Sequence, residues 1–174
     1  MIDPQDVSAI EAQLGREPRA IHAVGHRCPC GHPDVVATEP RLEDGTPFPT
    51  TFYLTCPRAA SMIGTLEASG LMREMSERIT TDPELAAAYE KAHVEYLAER
   101  EALGHVPEID GITAGGMPTR VKCLHVLVGH SLAKGPGVNP LGDETIELLG
   151  AWWEGNSCSA DWVPPTDDEP SPAI

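Results

Sequence analysis

After Pro57 the hydrophobic pattern of this chain changes from short β-branched and aromatic runs to helical spacing. That break dictates an α+β class: a small sheet from the first third, covered by helices from the rest. Segments 20–25, 34–38 and 50–55 carry valine, isoleucine, threonine and aromatic residues between Gly and Pro signals such as Glu43-Asp44-Gly45-Thr46-Pro47. They read as three strands of a small antiparallel sheet. Ahead of them Asp3 caps a helix with Pro4 in its first turn, and Val7, Ile10 and Leu14 run at helical spacing to Gly15.

Beyond Pro57, Met62, Ile63 and Leu66 lead to a stop at Gly70, and a second helix runs from Asp82-Pro83 to Leu103. Its stripe is Leu85, Tyr89, Ala92, Tyr96 and Leu103, with Glu90, Lys91, Glu95 and Glu99 off it, which is core packing. A third helix is expected near Pro118 and a fourth over 144–152, capped by Asp143. One domain therefore spans 1–153. The segment 154–174 carries Glu154, Asp161, Asp167, Asp168, Glu169 and four prolines with no Lys or Arg, the composition of a disordered acidic tail in which Cys158 is a bystander.

Twelve basic against twenty-seven acidic residues give a formal charge of -15, which repels phosphate backbones and anionic lipids and excludes general nucleic-acid binding. No run approaches the ~20 apolar residues of a membrane span, so no membrane insertion is expected. The opening Met1-Ile-Asp-Pro lacks signal-peptide character, and a cytoplasmic protein is expected, where thiols stay reduced.

Four of the five cysteines sit in three clusters with four of the seven histidines: His26-Arg-Cys28-Pro-Cys30-Gly-His32, Cys56-Pro57, and Cys123-Leu-His125 followed by His130. In extended chain, residues two apart share a side, so Cys28 and Cys30 can present both sulfurs to one ion. Cys56 ends a strand before a helix-starting proline, an N-cap where the helix dipole favours a thiolate, a ligand or a nucleophile alike. Were 122–133 one helix, Cys123 and His125 would point about 200° apart; were its start later, the two could converge.

The ordered motifs Gln-Leu-Gly-Arg-Glu-Pro-Arg, Cys-Pro-Cys-Gly-His-Pro, Pro-Phe-Pro-Thr-Thr-Phe-Tyr-Leu-Thr-Cys-Pro, Leu-Glu-Ala-Ser-Gly and Val-Lys-Cys-Leu-His resemble the bacterial DUF501 family over about residues 10 to 153. That family has no assigned function. The resemblance implies a bacterial cytoplasmic protein, often encoded near a septum-formation initiator and an exopolyphosphatase.

Three functional readings stay open. In the first, Cys28, Cys30, Cys56 and Cys123, with His26, His32 and His125 as further candidates, gather zinc or an iron-sulfur cluster. A shell of four sulfurs would be structural, and the protein would act by binding an unknown protein partner; a three-ligand site with an open position would instead allow a zinc-activated water. In the second, a thiol enzyme uses Cys56 as nucleophile, His125 or His130 as base, and an anion pocket at Gly115, Gly116, Arg120 and Lys122. In the third, the chain is a metal-free interaction adaptor with inert thiols.

Overall fold

The computed structural model describes residues 2–155 and residue 158. Among these, three strands and six α-helices form an α+β domain. Helix α1 (Pro4–Leu14) starts where expected: Asp3 accepts a hydrogen bond from the Gln5 amide, Pro4 occupies the first turn, and Gly15 ends the helix in a left-handed conformation. Strands β1 (Ile21–Arg27), β2 (Pro33–Thr38) and β3 (Phe52–Leu54) pair antiparallel in sequence order. Irregular register along β1 bends it where it approaches the Cys28–His32 turn.

The helical part begins at α2 (Pro57–Ala68), with Cys56 at its N-cap, and continues through α3 (Leu71–Thr81) and α4 (Pro83–Leu103). Helix α3 is a second turn-and-return hidden in what reads as one connection, entered through the left-handed Gly70. Helix α4 matches its expected bounds, and its buried stripe of Tyr89, Ala92 and Tyr96 is extended by His93 and Arg100.

Two helix starts differ from expectation. The polypeptide does not turn helical at Pro118, which follows a cis peptide bond, but at Leu124, giving α5 (Leu124–Lys134). Residues 115–123 are held instead by the Gly115 carbonyl, which accepts from the amides of both Lys122 and Cys123. Helix α6 (Pro140–Leu149) is capped by Asn139, whose side chain accepts from Gly142 N–H at 3.1 Å. Asp143 lies inside the helix and accepts from the Gly137 amide.

Helix α5 is the centre of the fold. It lies against all three strands and against α2 and α6. Gly129 allows this approach, because a Cβ there would stand 2.9 Å from the Phe52 carbonyl oxygen. Leu124, Leu127, Val128 and His130 are fully buried on it, facing Val35, Phe52, Ile63 and Leu141 of the same core. No helix among the described residues is long and apolar enough to cross a membrane.

Two sulfur-containing clusters form the candidate functional site

The turn between β1 and β2 carries Cys28 and Cys30. It is closed by backbone bonds from Cys28 N–H to the His32 carbonyl and from Gly31 N–H to the Cys28 carbonyl. Cys28 is buried and Cys30 half-buried. Above them sits Cys158, which the composition of the tail assigns to a disordered segment and the structure buries completely. The rest of 154–174, apart from Glu154 and Gly155, lies outside the described residues. The Cys158 sulfur is 3.4 Å from that of Cys28, and Cys158 and Cys56 are near enough to shift one another's pKa. The sulfurs of Cys28, Cys30 and Cys158 all lie within 4.8 Å of one another, a group able to hold a metal ion.

Three features bring Cys158 there. Trp152 is buried beside Trp153 in an edge-to-face pair and turns the chain back after α6. Arg58, in the first turn of α2, donates to the Glu154 carbonyl at 2.9 Å. Gln13 of α1 then ties both ends of the site, donating to the Pro33 carbonyl at 2.7 Å and to the Cys158 carbonyl at 2.9 Å. The acidic composition of the segment, which reads as a disordered tail, hid this docking.

The four thiols are not equivalent. Burial pushes the Cys28 thiol up to about 11. Burial opposes ionisation of Cys30 as well, but the amides of His32 and Cys158, the His32 ring and the Cys28 thiol outweigh it and bring Cys30 to about 6. Cys56 is lowered by its contact with Cys158 and, against burial, by the amides of Ala59 and Arg58 at the start of α2. Cys158 is correspondingly raised by sharing its hydrogen bonds with Cys56. Asp34, completely buried, keeps one carboxylate oxygen on His26 at 2.7 Å, while the other has no partner among the described residues, and its negative charge opposes ionisation of Cys56. Two thiols that favour the anion, beside a buried carboxylate, make an environment that a cation would relieve.

Cys123 does not join this group. As the N-cap of α5 it stands with His125 and Glu67 of α2, and the ligand atoms of these three lie within 4.8 Å of one another. Because α5 starts only after Cys123, the thiol and the ring converge. The His125 ring is bracketed: Nδ1 is 3.1 Å from Glu67 Oε1 and Nε2 is 3.1 Å from the Ala60 carbonyl oxygen. Glu67 Oε1 also accepts the Leu124 amide at 2.7 Å. The Cys123 side chain, and then the Glu67 carboxylate, raise His125 to about 9 against the effect of burial. Glu67 has no sequence signal as a ligand; its motif, Leu-Glu-Ala-Ser-Gly, reads as the end of a helix.

Of the remaining candidates, only His32 stays beside a sulfur of the Cys28–Cys30–Cys158 group. His26 bonds Asp34, and His32 Nδ1 lies 3.7 Å from Cys30 Sγ. His130 is a core residue: Nε2 bonds the Glu95 carboxylate, Nδ1 accepts from Asn139 at 3.3 Å, and the ring stacks on Phe52 and meets Tyr96 edge-on. A thiol enzyme built on Cys56 meets a physical obstacle, since Cys56 is completely buried and neither His125 nor His130 has it as a hydrogen-bond partner. At Gly115 and Gly116 the carbonyls turn inward to hold the amides of Arg120, Lys122 and Cys123, so those three amides are consumed by the turn, and the Arg120 and Lys122 residues are exposed. The loop sets the position of Cys123.

Neither curated proteins nor solved structures gave a match to this sequence. A family profile described as "Protein of unknown function (DUF501)" matches residues 24–147, which include Cys28, Cys30, Cys56, Glu67, Cys123 and His125 but end before Cys158. That match covers well over half of the chain, and the protein belongs to the DUF501 family.

Proposed function

We propose that the protein binds one zinc ion through Cys28, Cys30, Cys56 and Cys158, and that this ion ties the β1–β2 turn and the start of α2 to the segment after α6. The observation that carries the reading is the position of Cys158, whose sulfur lies 3.4 Å from that of Cys28 and within 4.8 Å of that of Cys30 on the turn, and which lowers the pKa of Cys56 at the start of α2. Sulfurs around a tetrahedral zinc stand about 3.8 Å apart for Zn–S bonds of roughly 2.3 Å. The 3.4 Å between Cys28 and Cys158 is close to that spacing and far from the ~2.05 Å of a disulfide. Four sulfurs close the shell and leave no place for water, so the ion would do structural work and the protein would act through its surface.

Elemental analysis of the full chain, purified without an affinity tag, tests this. The expected result is zinc bound in the wild type, with about one equivalent lost in Cys158→Ser. Iron and sulfide with visible absorption would replace zinc by a cluster on the same ligands. Metal-free protein whose mass under non-reducing conditions shows a Cys28–Cys158 disulfide would overturn the reading.

A further inference from the structure

The Glu67–Cys123–His125 cluster is built around a place that either a proton or a metal cation fills. The Ala60 carbonyl oxygen can only accept, so Nε2 of His125 carries the ring proton. This leaves Nδ1, with its lone pair, 3.1 Å from a carboxylate oxygen that is itself an acceptor. Acceptor facing acceptor is unfavourable unless something positive lies between them. Without metal a second ring proton fills this place, in keeping with the raised pKa of His125; a metal ion would take the same position and displace it.

Three further facts favour the ion. The Cys123 sulfur shares the same space, within 4.8 Å of both other ligand atoms. Both partners are oriented from behind in the way that ligating residues are: His125 by a backbone carbonyl on its far nitrogen, Glu67 by the Leu124 amide on Oε1. All three residues are half-buried, and Cys123 and His125 line a cleft of about 480 Å³ whose other walls include Leu14, Phe52, Leu54 and Val126.

We infer that Glu67, Cys123 and His125 form a second, three-ligand site for a divalent cation such as zinc, with its remaining coordination position open to this cleft. Sulfur, imidazole and carboxylate together suit zinc, and three protein ligands are the number found where zinc keeps a place for water or a substrate oxygen. Binding displaces the Cys123 thiol proton and any proton on His125 Nδ1 to solvent, so uptake of the ion releases one to two protons. The open position takes water or the oxygen of a small ligand with an apolar body. This site shares no residue with the four-cysteine site and stands or falls independently of it.

The test is cobalt and zinc titration of the full chain, after removal of bound metal, followed by calorimetry and visible absorption. Two equivalents are expected for the wild type. Cys158→Ser should lose one and retain the other; Cys123→Ser and His125→Ala should show the reverse, and their retained equivalent proves them folded. Glu67→Gln keeps an oxygen for the Leu124 amide but removes the charge, and should weaken the second equivalent at least tenfold. Benzohydroxamate, an oxygen chelator with an apolar ring, should shift the visible bands of the cobalt protein through the second equivalent alone. Unchanged stoichiometry and affinity in Cys123→Ser, His125→Ala and Glu67→Gln would overturn the site, and an unshifted cobalt spectrum would overturn its open position. Loss of all metal in Cys158→Ser, with none lost in the other three, would leave only the four-cysteine reading standing.

Discussion

Gly116 sits where two separable costs meet, and replacing it with alanine tests how the loop before α5 is built. Its φ is +92°, a region where an L side chain costs about 1 to 2 kcal/mol. A Cβ there would also stand 2.7 Å from the Arg120 carbonyl oxygen and 2.8 Å from the Lys122 nitrogen. Both obstacles are backbone, so no rotamer change relieves them, and overpacking adds about 1 to 3 kcal/mol. Gly111 provides the control: its φ is +75°, and nothing lies within 4 Å of its Cβ position. Gly111→Ala should therefore cost only the conformational part, about 1 to 2 kcal/mol, and Gly116→Ala about 2 to 5 kcal/mol. Urea unfolding followed by circular dichroism measures both, and at this chain length each kcal/mol moves the melting temperature by roughly 2 to 4 °C. Because the displaced residues lead directly into Cys123, Gly116→Ala should also weaken metal binding by Glu67, Cys123 and His125, whereas Gly111→Ala should not. Equal destabilisation by the two substitutions would refute the steric argument.

Burial, against the pull of Glu95, holds the His130 ring below the ordinary histidine pKa, and Asn139 donating to Nδ1 fixes the neutral tautomer. A depressed folded pKa means that the unfolded chain binds the proton first. This contribution to stability is therefore full above about pH 6.5 and is lost as pH falls through the folded value. NMR titration of the ring should give a midpoint below 6.5, and one at or above it would contradict the assignment. Arg100 is buried with its guanidinium on the carbonyls of Ile109 at 3.3 Å, Ile112 at 3.0 Å and Pro49 at 3.4 Å. Arg100→Met keeps the apolar stem but orphans those oxygens, and should lower the unfolding free energy by about 2 to 4 kcal/mol; a loss under 1 kcal/mol would mean that water replaces the guanidinium. Gln13→Leu removes the clamp on the Pro33 and Cys158 carbonyls, so zinc affinity at the four-cysteine site should fall about 10- to 100-fold while Cys158→Ser abolishes it. Unchanged affinity in Gln13→Leu would show that Trp152 and Arg58 suffice to dock the segment.

Local chemistry settled much of this protein in advance. Asp3-Pro4, Cys56-Pro57 and Asp82-Pro83 each combine a side chain able to accept an amide with a proline suited to the first turn, and all three begin helices. The strands were legible because alternating β-branched runs between Gly and Pro signals have few other solutions. The start of α5 was not, since Pro118 announces a helix that the Gly115 carbonyl prevents by capturing the Lys122 and Cys123 amides. The same limit governed the sites. Residue types and short spacing pointed to sulfur and imidazole, and Cys28 and Cys30 do share one group, while the Cys123 expected with them stands in another. Which remote residue completes each group depends on contacts across the chain: Cys158 reaches Cys28 over 130 positions, and Glu67 reaches His125 over 58. Spacing in sequence constrains only neighbours within a few residues, whereas those two pairings follow from Trp152 turning the chain back after α6 and from α5 lying against α2, packing events that no local pattern encodes.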